Sequence, residues 1–170
     1  MRPRIDAIED FIKGGIAKML VEEILMLSGN KVANFGLEYK MPALAQGWDY
    51  RRTSSSAGKI LSSMPDLVVI NERRMPRFVE VKYRAAGPES IDLGQLHKTL
   101  HHWASHVILV TNKSRPYFYV TWLTMTSDPS DVVWEPLLGY REWEIRPDVY
   151  EVCERLVEKY FPVNLSIEAD

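Results

Sequence analysis

The chain has 170 residues, 46% hydrophobic and 26% charged, with a formal net charge of −2 and one cysteine. These values fit one domain, 1–170, able to bury a core; they exclude a disulfide framework, and no run of 18 apolar residues is present to span a membrane. The opening MRPRIDAIEDFIKGG carries acids early and has no apolar core of signal-peptide length, so with the lone Cys153 a cytoplasmic location is expected.

Residues 5–28 predict a helix, because Ile8, Ile12, Ile16, Met19, Leu20, Ile24 and Leu27 recur at helical spacing and Gly29 stops the run. Gly14 and Gly15 are a candidate break or bend near its start. Residues 31–41 read as a strand ended by Pro42. Residues 43–63 are the least regular, and RRTSSSAGK is expected to be a mobile loop or a poorly formed strand. Two strands follow, 66–70 and 77–83, joined by NERRMP. After the loop AAGPES, Ser90 or Asp92 is placed to cap a helix over 92–105, with Leu93, Leu96, Leu100 and Trp103 as its apolar stripe. Strands are expected at 106–111 and 116–123, then a closing amphipathic helix at 146–161 with Val149, Val152, Leu156 and Tyr160 on one side. The order is helix, three strands, helix, strand, strand, helix: a mixed α/β sheet flanked by helices.

The mildly acidic balance speaks against a strong phosphate binder, which usually presents a basic surface. The segment from Arg51 to Arg84 is nevertheless locally basic, with eight Lys and Arg against Asp66, Glu72 and Glu80. Arg51, Arg52 and Lys59 in the polar loop, together with Arg84, are the candidates for contact with a nucleic-acid backbone.

Chemistry concentrates in MPDLVVINERRMPRFVEVKYR, residues 64–84. Residues two apart on a strand share a face, so Glu80 and Lys82 point one way while Val79 and Val81 point the other. Asp66 heads the neighbouring strand, and an antiparallel hairpin brings its carboxylate toward Glu80. Two carboxylates brought together repel, which a proton or a hard cation relieves; magnesium keeps several waters and needs only two acids and a backbone carbonyl. Lys82 beside such a cation could orient an attacking water and offset phosphate charge. The ordinary alternative is a solvated Glu-x-Lys pair on an exposed strand. The pairs His97/His101 and His102/His106 have zinc-ligand spacing on a helix, but His106 is expected to begin a strand, so a polar helix face is the better reading.

Pro65–Asp66 followed by Glu80-Val81-Lys82 resembles the PD-(D/E)xK nuclease superfamily, which includes restriction endonucleases and archaeal Holliday junction resolvases. The likeness extends over most of residues 8–122. GGIAKMLVEEILMLSGNKVANFGLE is similar to the first helix and strand of resolvase-like members, and DLGQLHKTLHHWASHVILVT to the helix and strand after their catalytic lysine. The resemblance implies a restriction endonuclease-like αβββαβ core, here with an extra strand and a C-terminal helix. It implies a nuclease hydrolysing DNA phosphodiester bonds with Mg²⁺ or Mn²⁺. Asp66 and Glu80 would ligate the metal with help from the Val81 carbonyl, Lys82 would position the water, and Gln95 would lie near the site. Because superfamily members are often dimers, a homodimer is compatible with the resemblance. Resolvase-like members often carry a further acid on the first helix, at the position of Lys18. Glu22, at i+4 on the same face, is the candidate replacement, with Glu23 as the other. The departure at Lys18 gives the alternative expectation: a binding module that keeps the fold with weak or no catalysis.

Overall fold

The computed structural model describes residues 4–40, 55–100, 102–124, 128 and 132–162. In chain order these form α1 (Arg4–Leu27), β1 (Lys31–Asn34), α2 (Leu37–Lys40), α3 (Ser56–Ser62), β2 (Leu67–Ile70) and β3 (Pro76–Tyr83). A 3₁₀ turn (Pro88–Ser90) leads to α4 (Leu93–Leu100), β4 (Ser105–Val110), β5 (Phe118–Leu123), β6 (Glu135–Pro136) and α5 (Pro147–Tyr160). The strands make one mixed sheet in the order β1-β2-β3-β4-β5-β6. Neighbours are antiparallel except β3 and β4, which run parallel with α4 in the crossover. The parallel pair needs such a crossover, whereas the antiparallel pairs need only turns.

The alternation of the strands divides the interior in two. Val79, Val81, Ile108, Val110, Phe118 and Val120 face Ala17, Leu20, Val21 and Ile24 of α1 and Val149, Tyr150, Cys153 and Val157 of α5 in the main core. On the other face Val107 and Leu123 pack with Leu96 and Leu100 of α4 in a smaller cluster. Phe35, Phe78 and Trp103 close the edge of this second layer, their ring centroids 5.1–5.5 Å apart.

Several sequence expectations are corrected by these contacts. The strand expected over 31–41 pairs only through Asn34, because Phe35 and Gly36 turn their N–H groups onto the Asp66 carbonyl (2.8 and 3.1 Å) and α2 follows. Residues 56–62, expected to be irregular, form α3, where the Ser55 hydroxyl accepts the Gly58 N–H at 2.9 Å and caps the first turn. Gly14 and Gly15 do not interrupt α1. Its buried side is not the expected one: Leu20 and Ile24 are inside, but Ile8, Ile12, Met19 and Leu27 are exposed, and Ala17, Val21 and Leu25 replace them. On α5, Val152 and Tyr160 are likewise exposed, while Tyr150, Cys153 and Val157 are buried. The helix expected over 92–105 ends at Leu100 because Ser105 already belongs to β4. Its start is as expected, with the Asp92 carboxylate accepting the Gln95 N–H at 2.9 Å. Arg77, near the start of β3, pairs with Glu142 (2.9 Å) across the molecule.

Candidate active site

The β2–β3 register pairs Leu67 with Val79, so Asp66 stands opposite Glu80 one step beyond the end of the ladder. There the side chain of Asp66 does what a strand carbonyl would do: its Oδ2 accepts the Val81 N–H at 2.9 Å. Pro65 precedes it and lacks the N–H that a longer strand would use. The backbone of Asp66 is fixed as well, since its carbonyl takes the Phe35 and Gly36 N–H groups. Asp66 is therefore rigidly presented beside the middle of β3.

Glu80 lies on β3 opposite Val107 of β4 and is only 8% exposed. Lys82, two residues on and on the same face, donates to Glu80 Oε1. Lys18 Nζ of α1 is 3.3 Å from Asp66 Oδ1. Among the described residues two carboxyl groups and two ammoniums thus meet. Burial pushes the Glu80 carboxyl up to about 7; the Lys82 ammonium opposes this, the Asp66 charge adds to it, and Lys18 opposes it again. Burial, the larger cause, makes this carboxyl reluctant to ionise, and a cation beside it would favour its ionised form.

Lys82 also lines an open cavity of about 530 Å³ between α1 and the end of β3, with Asp10, Lys13, Gly14 and Arg84 around it. Gly14 contributes no side chain, and a Cβ built there would meet nothing within 4 Å. The cavity gives Lys82 and Arg84 a shared approach from solvent.

The structure brings Asp66, Glu80 and Lys82 together and sets the other sequence candidates around them at different distances. Glu22 is half-buried and its Oε1 accepts the Asn34 Nδ2 at 3.2 Å, so it serves β1 rather than touching Asp66. Glu23 is exposed, and its charge adds to the burial that pushes the Cys153 thiol up to about 11. Gln95 is exposed on the first turn of α4, where its backbone N–H is capped by Asp92 and its carbonyl accepts the Thr99 hydroxyl. It makes no hydrogen bond to Asp66, Glu80 or Lys82 among the described residues. Lys59 is exposed on α3, and Arg84 is exposed beside Lys82. Arg51 and Arg52 lie outside the described residues. Val81 meets Asp66 through its N–H.

The feature missed in the sequence is the Lys18–Asp66 pair. The signal was partial: Lys18 occupies the turn of α1 where an acid was expected, but nothing local shows that it reaches the head of β2. Among the described residues no cluster of three or more His, Cys, Asp or Glu side chains is arranged to hold a metal ion. The candidate site offers two, both hard oxygen donors, and Lys18 already stands on one of them.

The histidines do not compete for this role. His97 Nε2 is 3.1 Å from the Thr124 carbonyl oxygen. His106, in β4 as expected, pairs in register with Val79 and so faces away from Glu80. Its ring centroid is 4.2 Å from Trp122 and 4.6 Å from Trp143, and burial pushes its pKa down to about 3, with Arg77 adding to the effect. No family model matches the chain, and neither the curated proteins nor the solved structures contain a match. The chain is an α/β protein with a mixed six-stranded sheet and a partly buried acid–lysine cluster at the head of β2. No helix among the described residues is long and apolar enough to cross a membrane.

Proposed function

We propose that the protein is a divalent-metal-dependent nuclease that hydrolyses DNA phosphodiester bonds. The observation that carries this reading is the convergence of Asp66, Glu80 and Lys82 at the point where β2 ends and β3 continues. The order α1-β1-β2-β3-α4-β4, with the short helices α2 and α3 inserted between β1 and β2, is compatible with the αβββαβ core of the resemblance and supports it. Asp66 and Glu80 would hold Mg²⁺ or Mn²⁺, with the Val81 carbonyl as a further donor; such a cation polarises a phosphoryl oxygen and lowers the pKa of bound water. Rigid presentation of Asp66 by Val81, Phe35 and Gly36 holds one carboxylate without reorganisation. Lys82 lies where the site opens to solvent, so its ammonium can orient a water and offset charge that develops on phosphate. Arg84, exposed on the same cavity, supplies positive charge for the substrate backbone.

The test is a panel of labelled duplex, single-stranded, flapped and branched DNAs incubated with Mn²⁺. Wild-type protein should cleave at least one of them, and Asp66→Ala and Lys82→Ala, checked for folding by circular dichroism, should lose at least about 100-fold in rate. Equal cleavage by all three preparations would assign the activity to a contaminant.

One observation favours a second reading, a DNA-binding module without efficient catalysis. The ammonium of Lys18 already satisfies Asp66. That reading expects a gel shift with the same DNAs and no product at any metal concentration.

A further inference from the structure

We propose that Lys18 sets the metal threshold of this site: its ammonium is a built-in counter-cation on Asp66, and a divalent ion must displace it to use that carboxylate. The inference rests on the metal-dependent reading above and assigns Lys18 the role of a positioning residue acting through Asp66.

The argument starts from charge. Among the described residues the carboxyls of Asp66 and Glu80 already face the ammoniums of Lys18 and Lys82, so the charge that would draw a cation is met from within the protein. Both members of the Lys18–Asp66 pair are mostly covered, with side-chain exposures of 13% and 24%. Screening by water is weakened there, and a cation arriving beside Asp66 meets the lysine's repulsion at close to full strength.

Geometry leaves little room for sharing. Asp66 Oδ2 is taken by the Val81 N–H and Oδ1 faces Lys18, so neither oxygen is unoccupied. Lys82 differs, because its side chain is 32% exposed and lines the open cavity, so its ammonium can swing toward solvent. Lys18 projects from the buried side of a 24-residue helix, next to Ala17 in the main core, and has less freedom. Of the two ammoniums, Lys18 is the one whose displacement limits loading.

The experiment is calorimetric titration of the full-length protein with MnCl₂ at pH 7.5, comparing wild type with Lys18→Gln and Lys18→Arg. Lys18→Gln should bind Mn²⁺ at least about ten-fold more tightly than wild type, because one nearby positive charge is removed. Lys18→Arg, which keeps the charge, should stay within about three-fold of wild type, a distinction that a merely structural role would not produce. Adding Asp66→Asn to Lys18→Gln should abolish the gain. If Lys18→Gln does not fold, Lys18→Met replaces it with the same expectation. The proposal is overturned if the neutral variant binds no more tightly than wild type, if Lys18→Arg gains as much, if the gain survives Asp66→Asn, or if no variant binds Mn²⁺. DNA cleavage is read separately. Cleavage by wild type with unaltered Mn²⁺ affinity in Lys18→Gln sinks this inference alone, and tight binding by Lys18→Gln without cleavage by either protein sinks the hydrolase reading alone.

Discussion

His106 shows at the scale of one residue how strongly this fold sets a side chain's chemistry. It lies in a cage of Trp122, Tyr140 and Trp143, and its Nδ1 is buried without a hydrogen-bond partner. Its pKa falls from 6.5 to about 3 because burial disfavours the imidazolium, with the Arg77 charge adding to this. Between those values the unfolded chain binds more protons than the folded one, so stability falls as pH drops from 6.5 toward 3. The loss from this group is at most on the order of 5 kcal/mol. Urea denaturation across that range should show a shallower acid-side decline for His106→Phe, which fills the cage but cannot titrate. An unchanged slope would mean that the ring leaves its cage before it charges. Glu80 has the opposite relation. Its folded pKa of about 7 lies above its ordinary 4.5, so its share of stability is present below 4.5 and is lost as pH rises through 7.

Among the elements, α1 carries the most function and the greatest ambiguity. It supplies Ala17, Leu20, Val21 and Ile24 to the main core and Lys18 to the site from adjacent positions, yet Phe11, Ile12 and Met19 stay exposed. With apolar residues on nearly every side, periodicity alone does not select the buried face; contact with the sheet does. The two glycines give separable tests. Gly15→Ala should stabilise the protein by roughly 0.5–1 kcal/mol, because the helix is continuous there and an added Cβ meets nothing within 4 Å. The readout is the urea midpoint at unchanged slope. Gly14→Leu should also be tolerated, but it projects into the cavity that leads to Lys82. DNA binding or cleavage should fall about ten-fold or more while the thermal midpoint holds. Loss of both together would show that the glycine is needed for packing instead.

At the scale of the whole molecule, α5 closes what α1 and the sheet leave open. Phe161 is 1% exposed, stacks on Tyr83 with centroids 4.6 Å apart, and its carbonyl accepts the Asn112 side chain at 2.8 Å. Tyr83 follows Lys82 on β3, so the end of the chain's closing helix braces the strand that carries the candidate chemistry. Phe161→Ala should cost about 3 kcal/mol in chemical denaturation. The same variant should also lower any activity that depends on Lys82. A cost under about 1 kcal/mol would mean that the helix end is loosely seated.

The sequence by itself determined what short-range geometry controls. Period-two alternation put Glu80 and Lys82 on one face of β3, a proline followed by an acid marked the head of β2, and Ser90 or Asp92 marked the start of α4, with the structure choosing Asp92. The order of the main helices and strands followed from runs of apolar residues long enough to be unambiguous. Only the tertiary structure decided which side of α1 and α5 is buried, that β1 stops at Asn34, and that Lys18 rather than Glu22 meets Asp66. Those outcomes depend on contacts between residues far apart in the chain, where several faces were equally apolar or equally charged. Packing against the sheet selects among such faces, and the same selection set a lysine on the carboxylate where the sequence pattern led to the expectation of a metal.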